Sequence, residues 1–351
     1  MTHFKDKVRE RQLKTLRPRK HDLDFFIADE VELSTFRDEM TSMEHPFFAL
    51  KSGDTNIRRY ENNNVSVIVK PNSDGLATIF DKDIWIYSIS KLQSAINNNE
   101  EISRTVCFTP YDYFLTTNRD MGGKNYKLLE KSLSRLKGTT ITTNIVHTED
   151  KQETVQFGLI DSWRLVEEKK GKLDVGMVEV TLPDWLYQAL RKKKILKISA
   201  DYFRIRKAID RRIYEIARKH CGSQNDFQIS LEKLHLKSGS SSILKSFRHN
   251  IKQLSKVNDL PDYNITFDAA SDNVIFTNRK SQLPVEENTA LVEKDRKGKN
   301  NEVDFLKKKL AESQRLLAIE KKKKIARKNN AVDVTEVSNP DTDTPSGFRG
   351  N

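Results

Sequence analysis

Apolar positions recur with helical or strand spacing between about residues 78 and 278, and this pattern predicts most of the secondary structure. The first periodic segment, 78–95, is predicted to be a helix whose apolar face carries Ile79, Ile86, Ile89 and Leu92. A short strand over 104–108 follows it. Thr109 can cap the next helix, because a hydroxyl accepts from the unpaired amides of a first turn and Pro110 suits the first helical position.

A third helix, predicted over 124–137, and a hairpin complete this first group of elements. Beyond Gly138 the stretches TTITTNIVH and ETVQFGLI both alternate apolar with polar residues, which is typical of half-buried strands. The polar run between them is expected to form the hairpin turn.

A similar order of elements returns in the second half of the chain. It begins near Val178 with a strand and a short helix in VEVTLPDWLYQAL, and a long helix over 200–222 follows. Ser230 then caps a helix that comes after a short strand. The last elements are a helix from Ser242 and a hairpin over 263–278. Two successive groups in this order predict a structural duplication, although the residues themselves do not repeat.

Two of these helices are apolar on one side and basic on the other. The apolar stripe of the helix over 124–137 is Tyr126, Leu129, Leu133 and Leu136, and its basic face is Lys124, Lys127, Lys131 and Arg135. In the helix from Ser242 the stripe is Ile243, Leu244, Phe247, Ile251, Leu254 and Val257, and the basic face is Lys245, Arg248, Lys252 and Lys256. Surface helices usually mix both signs, since Glu and Lys four residues apart stabilise a helix, yet 240–258 contains no acid. This composition favours a polyanionic partner.

The order of elements around each basic helix predicts the fold class. Each is preceded by a short helix and followed by a hairpin, as in a winged helix, where the hairpin is the wing. We therefore expect an α+β fold of two tandem winged-helix domains, over 24–170 and 171–280. A basic, mobile arm is expected over 1–23 and a charged, helical or disordered tail over 281–351.

Composition adds a strongly basic charge to this picture. The 351 residues contain 62 Lys and Arg against 50 Asp and Glu, a formal net charge of +12. The chain has no apolar run of about 18 residues, and its first residues lack the apolar segment of a secretory signal. We therefore expect a cytoplasmic protein without a membrane segment. Cys107 and Cys221 form no CxxC motif and are expected to be reduced, packed thiols.

Charge and fold class together make double-stranded DNA the expected partner, because the third helix of a winged helix enters the major groove. The candidate DNA-binding residues are Lys124, Asn125, Lys127, Lys131, Arg135, Ser240, Lys245, Arg248, His249, Lys252 and Lys256. Among them Asn125 and His249 are candidates for contacts with base edges. Leu128 lies off the apolar stripe and is either covered by a neighbouring element or available to a thymine methyl group. For either helix taken alone, a solvated surface helix is the alternative.

No catalytic centre, metal or cofactor is expected. The Gly-Gly-Lys at 122–124 resembles part of a phosphate-binding loop, but Asn118 replaces the first glycine and Asn125 replaces the Ser or Thr after the lysine. HExxH and GxSxG motifs are absent, and the seven histidines include no His-hydrophobic-His pair of the kind found in DNA-nicking enzymes. Acids such as Asp81 and Asp83 are expected to cap helices or lie in solvated loops rather than hold Mg²⁺.

Several long stretches resemble one protein family. They are MEHPFFALKSGDTNIRRYE, LATIFDKDIWIYSISKL, TNRDMGGKNYKLLEKSLSRLKGTTITTNI, FGLIDSW, EVTLPDWLY, and RRIYEIARKHCG followed by ISLEKLHLKSGS. Together, over about residues 24–278, they resemble the replication initiator protein A family of bacterial plasmids. The family's Lys-Ser-Gly-Ser run stands at 237–240, which supports a DNA-reading helix immediately after it.

The resemblance implies a plasmid replication initiator. Two winged-helix domains would bind repeated sites at an origin, promote opening of the adjacent duplex and bring in a host initiator and a replicative helicase. It also implies a homodimer formed through the N-terminal domain that represses its own promoter. Two alternatives remain open: a winged-helix transcriptional repressor without initiator activity, which needs the same helices, and a partition adaptor that binds through flexible tails.

Overall fold

A computed structural model describes residues 16–20, 35–62, 64–145, 154–170 and 173–282. All of them belong to one compact unit that ends at Gln282. The expectations for the tail after this residue and for most of the N-terminal arm fall outside the described residues.

The helices and strands of the described residues are as follows. The α-helices are α1 (Met40–Glu44), α2 (Asp83–Asn97), α3 (Pro110–Thr116), α4 (Gly123–Gly138), α5 (Asp184–Arg191), α6 (Ala208–His220), α7 (Leu231–Ser238) and α8 (Leu244–Val257). The strands are β1 (Phe36–Glu39), β2 (Arg58–Asn62), β3 (Val65–Lys70), β4 (Thr105–Phe108), β5 (Thr140–Thr143), β6 (Val155–Gly158), β7 (Ser162–Lys170), β8 (Leu173–Thr181), β9 (Ile195–Ile198), β10 (Asp226–Ser230), β11 (Tyr263–Asp268) and β12 (Asn273–Asn278). A 3₁₀-helix spans Ala200–Arg204 and another spans Arg279–Gln282.

Two groups of these elements share one topology. In the C-terminal group α6, α7 and α8 accompany an antiparallel sheet of order β10-β12-β11, so that the first short strand pairs with the last strand of the hairpin. In the N-terminal group α2, α3 and α4 accompany an antiparallel sheet of order β4-β8-β7. Here too the first short strand, β4, pairs with the last strand of the hairpin, β8. Helix, strand, helix, helix and hairpin in this arrangement form a winged helix. The predicted α+β fold with two tandem winged helices is confirmed.

The wing of the N-terminal winged helix is not the hairpin that the sequence pattern indicated. The strands after Gly138, β5 and β6, do pair with each other, but β5 also pairs with β3 in a separate sheet of order β2-β3-β5-β6. The wing is instead β7 with β8, because β8 pairs with β4. The boundary expected between residues 170 and 171 falls between β7 and β8, which both belong to the N-terminal winged helix.

Two helices begin later than their periodicity indicated. α2 starts at Asp83, because the carboxylate of Asp81 accepts hydrogen bonds from the Thr78 amide at 2.7 Å and hydroxyl at 3.1 Å and holds 78–82 in a turn. The long helix expected over 200–222 is divided into the first 3₁₀-helix and α6, since Ile205 between them is extended. The carbonyl of Ile205 accepts from Arg211 Nε at 3.1 Å.

The apolar side chains form two cores that α2 joins. The first core lies around Trp85, whose Nε1 donates to the Leu159 carbonyl at 2.7 Å, and also contains Val178 of β8 and Leu186 of α5. The second core lies among α6, α7, α8 and the three-stranded sheet β10-β12-β11. Ile86 of α2 belongs to the second core although its neighbour Trp85 belongs to the first. A single helix is therefore part of both cores.

A network of buried charges also connects the two winged helices. Lys82 Nζ, fully buried before α2, lies 2.7 Å from Asp38 Oδ2 and 3.1 Å from Glu215 Oε1 of α6. Asp83 accepts from Arg211 Nη1 of α6 at 2.5 Å, and its other oxygen accepts from Arg119 at 2.7 Å. Burial raises the pKa of Asp38 to about 7. Buried charges need partners of opposite sign, so α6 and the start of α2 stabilise each other's charged side chains.

Candidate DNA interface

The two faces of α4 lie as the sequence pattern predicted. Leu129, Leu133 and Leu136 are buried in the first core, whereas Lys124, Lys127 and Lys131 are exposed. Tyr126, the first residue of the expected apolar stripe, is 39% exposed, and its ring packs edge-on against Phe114 with centroids 5.1 Å apart. Helix α4 therefore presents the three lysines of its predicted basic face and part of an aromatic ring to solvent.

Arg135, a candidate DNA contact, is engaged within the protein. Its Nε and Nη2 donate to the two oxygens of Asp81 at 2.9 and 2.7 Å, and its side chain is only 14% exposed. The hydrogen bonds to Asp81 raise the pKa of Arg135. Helical winding placed this residue on the lysine face but did not show that the turn before α2 supplies a carboxylate there. Arg135 stabilises the structure and is withdrawn from the candidate DNA contacts.

Two further residues of the α4 region have distinct environments. Asn125 Nδ2 donates to the Asp120 carbonyl at 2.8 Å, so its amide group is used to shape the loop before α4. Leu128 is 41% exposed. No described element covers Leu128, so the first of its two alternatives is not observed. Its side chain lies on the solvent side beside the lysines.

Helix α8 of the C-terminal winged helix has the same division into faces. Phe247, Ile251 and Leu254 are buried in the second core. The exposed polar side chains include Lys245, His249, Lys252 and Lys256. The ends of the expected apolar stripe are exposed instead, Ile243 at 69% and Val257 at 45%.

Two candidate residues at α8 bond to neighbours in the winged helix. Arg248 donates two hydrogen bonds to Asp272 in the turn of the wing, at 3.0 and 2.8 Å, and the side chains are 34% and 40% exposed. The bonds from Arg248 lower the pKa of Asp272. Ser240 Oγ lies 2.8 Å from Ser242 Oγ in the turn before the helix. Arg248 thus connects α8 to its wing while part of its guanidinium reaches solvent.

The acids considered as metal ligands have other partners. Asp81 binds Arg135, and Asp83 binds Arg119 and Arg211. Within the described ranges no group of three or more His, Cys, Asp or Glu side chains is arranged to hold a metal ion. None of the helices described is both long and apolar enough for a membrane crossing.

Residues 16–20 are packed against both winged helices, where the sequence pattern indicated a mobile arm. Leu16 is buried in the second core, and Lys20 Nζ lies 2.5 Å from Asp120 Oδ1 in the turn before α4. The sequence signal was a single leucine, Leu16, between Lys14 and Arg17, which is too weak to predict docking. Arg58, on the edge strand β2, also contacts the turn before α8 through its bond to Gly239 and was not recognised as part of the site.

Comparison with known proteins shows the family of this chain. Two solved structures align at low identity: domains 2 and 3 of RctB (10% identity, TM-score 0.49, 68% of this chain and 98% of theirs) and the Pi initiator protein in complex with iteron DNA (12%, 0.41, 57% and 91%). A putative replication protein of Wigglesworthia glossinidia brevipalpis is 61% identical over 257 residues, which cover 73% of this chain and 94% of the relative. The family described as replication initiator protein A matches residues 37–265. The chain therefore belongs to the replication initiator protein A family.

Proposed function

We propose that this protein initiates plasmid replication by binding repeated origin DNA sites through the exposed faces of α4 and α8. One observation carries the proposal: the third helix of each winged helix presents three lysines of its basic face to solvent, and none of these six forms an ion pair with another described residue. Surface lysines that serve only solubility are commonly interspersed with acids, whereas α8 contains no acid and α4 contains one, Glu130. Two such faces suit the phosphates of a duplex.

The proposed contacts differ in chemistry. The lysines that would bind phosphates are Lys124, Lys127, Lys131, Lys245, Lys252 and Lys256. His249 is exposed and could donate to a base edge, and Leu128 could pack against a thymine methyl group. Arg248 would contact the backbone from the junction of α8 with its wing, whereas Asn125 and Ser240 would shape the turns that precede the helices.

The proposed N-terminal domain is longer than the sequence pattern indicated. We place its end after α5, because Val178, Leu186 and Leu190 pack in the first core. The segment that follows contains β9, which pairs with β1 and leads into the first 3₁₀-helix and α6. The C-terminal domain then begins near Ala200 and ends at the second 3₁₀-helix.

The later steps of initiation are part of the same proposal. Several copies bound to adjacent repeats would bend the duplex, and deforming 20 to 30 base pairs costs on the order of 1–6 kcal/mol. A host initiator and a replicative helicase would then act on the opened strand. The protein itself would act without catalysis, as a homodimer when it represses its own promoter.

A replication assay tests this proposal. A plasmid whose sole initiator is this chain, and whose sole origin is the DNA flanking its coding region, should replicate in a bacterial host. Replication should be lost with Lys252→Glu, because the substitution replaces an attraction to phosphate with a repulsion. Lys192→Glu is the matched control, since Lys192 is exposed but lies outside both third helices and both wings.

Two results would revise the assignment. Specific binding to the flanking DNA without replication would indicate a transcriptional repressor. Equal replication of the Lys252→Glu and Lys192→Glu variants would rule out α8 as a DNA-binding helix.

A further inference from the structure

The turn between α7 and α8 is held by the N-terminal half of the chain. Gly239 in this turn has a left-handed backbone, with φ +64°, and its carbonyl accepts from Arg58 Nη1 at 2.6 Å. Arg58 is itself oriented by Asp54, which accepts from its Nε at 3.0 Å. Buried Pro46 packs so closely on Gly239 that an added Cβ would lie 2.5 Å from the proline Cβ. A side chain at Gly239 would force the turn away from Pro46.

The turn between α3 and α4 is held by residues 16–20, the docked segment. Asn118 in this turn also has a left-handed backbone, with φ +55°. Its Oδ1 accepts from the Lys20 amide at 2.8 Å and its Nδ2 donates to the Pro18 carbonyl at 3.2 Å. One amide side chain therefore bonds twice to the backbone of the docked segment, as a neighbouring strand would. Lys20 also pairs with Asp120 in the same turn.

The other end of the docked segment is anchored in the C-terminal half. Leu16 is 6% exposed and packs in the second core. The Arg17 amide donates to the Arg204 carbonyl at 2.9 Å, and Arg204 Nε donates to the Arg17 carbonyl at 2.7 Å. Arg19 pairs with Asp201 at 2.9 Å. Asp201 and Arg204 both lie in the 3₁₀-helix before α6. The docked segment therefore connects the C-terminal winged helix to the turn before α4.

The turn before α8 is thus held directly by the N-terminal half of the chain, and the turn before α4 is held by the docked segment, whose other end is anchored on the C-terminal half. We propose that these two contacts fix α4 and α8 in one rigid frame, and that Asn118 and Gly239 are positioning residues which determine the spacing between DNA contacts that the protein accepts. The inference rests on the proposed function, because it concerns how the two helices bind one duplex together.

Duplex geometry makes this frame a device for specificity. Each inserted base pair moves the downstream contact by about 3.4 Å and rotates it by about 35°, because a turn of B-DNA contains about 10 to 10.5 base pairs. After two base pairs are inserted, a rigid protein cannot place both helices on their sites at the same time. It then loses the gain in affinity from simultaneous binding, which is commonly about 10²- to 10⁴-fold. A protein whose halves move independently would follow the insertion and lose less.

The test compares affinities for two DNA fragments. One is the origin fragment that the full-length wild-type protein protects, and the other carries two additional base pairs between the two protected stretches. We expect the wild type to bind the first fragment about 100-fold more tightly than the second. Asn118→Ala and Gly239→Ala should each reduce this ratio at least tenfold. Lys20→Pro, which removes both the amide that bonds to Asn118 and the ammonium group that pairs with Asp120, should do the same.

Two matched variants separate this effect from a local change of backbone. Asn99, which follows α2, has a left-handed backbone with φ +58° and is exposed. Gly222, which follows α6, has φ +57°, and a Cβ added to it would lie 4.0 Å from the nearest atom. Neither residue contacts the other half through the bonds described above, so Asn99→Ala and Gly222→Ala should keep the wild-type ratio.

The outcomes are distinguishable. A variant that only loses stability binds both fragments more weakly in parallel and leaves the ratio unchanged, which overturns the inference for its turn. An unchanged ratio in Lys20→Pro and Asn118→Ala overturns it for α4 even if Gly239→Ala fails to fold. A wild type that binds origin DNA without discriminating between the fragments overturns the inference alone. A wild type that protects no stretch of the DNA flanking its coding region overturns the proposed function as well.

Discussion

Neighbouring cations of the same helix face have different environments in this protein. Lys131 and Arg135 are four residues apart on α4, yet Lys131 is exposed and Arg135 bonds to Asp81, which is nearly fully buried. The carboxylate also accepts from the Thr78 amide and so joins the start of α2 to α4. Charge and periodicity predict that both residues are cationic and on one face, but a partner 54 positions away in sequence is a property of the tertiary structure alone.

Removal of these two cations should therefore affect different properties. Arg135→Ala leaves the Asp81 carboxylate buried without its counter-charge, and we expect a loss of about 3 kcal/mol in the free energy of unfolding. Lys131→Ala should change it by no more than about 0.5 kcal/mol but weaken DNA binding. Urea unfolding and a binding titration measure the two effects. Equal stabilities of the two variants would contradict the structural role of Arg135.

His45 should make stability dependent on pH. Burial lowers the pKa of His45 to about 4, and its buried Nδ1 has no hydrogen-bond partner among the described residues. Between pH 6.5, its ordinary pKa, and pH 4 the unfolded chain binds a proton at this position that the folded chain does not. The free energy of unfolding should therefore fall as the pH is lowered through this window, by about 3 kcal/mol from this residue.

The variant His45→Phe isolates this contribution. It keeps a ring beside Tyr60, whose centroid is 5.6 Å from that of His45, but cannot be protonated. Urea unfolding at several pH values between 4 and 8 should give a shallower decrease for the variant than for the wild type. Parallel curves would show that His45 keeps its ordinary pKa in the folded protein.

At the scale of elements, periodicity predicted faces well and partners poorly. The buried side of α4 follows its sequence because a side chain every three or four residues must face the core. Alternation likewise predicted β5 and β6, but it carries no information on which strand lies beside them, so the wing was assigned to the wrong hairpin. β2 and β3, which complete that sheet, were not predicted. Their neighbours are set by contacts distant in sequence.

Two leucines of α4 test the assignment of its faces. Leu133 is fully buried, so Leu133→Ala should leave a cavity and lower the free energy of unfolding by about 2–5 kcal/mol. Leu128 is 41% exposed, so Leu128→Ala should lower it by no more than about 0.5 kcal/mol. Chemical denaturation of both variants provides the comparison. A large loss in Leu128→Ala would mean that a part of the chain outside the described residues covers this side chain.

At the scale of the whole molecule, the basic charge should appear as salt-dependent binding. Six lysines on α4 and α8, with additional contacts from the wings and arm, would neutralise about six to ten phosphates, which gives a slope of log affinity against log salt of about −5 to −9. Lys252→Glu should reduce the magnitude of this slope by about 1. Titrations between about 50 and 200 mM salt measure both slopes. A slope near zero would contradict binding through phosphates.

The buried charges between α2 and α6 have a consequence for the way such proteins diverge. Lys82 is neutralised by one acid from each half of the molecule, Asp38 and Glu215, and Asp83 is neutralised by two arginines that also come from different halves. A hybrid that joins the first half of this chain to the second half of a relative inherits a stable junction only if these residues are exchanged as a set. Recombination between family members should therefore preserve compatible pairs of halves, and the two winged helices should be inherited together rather than shuffled as independent modules.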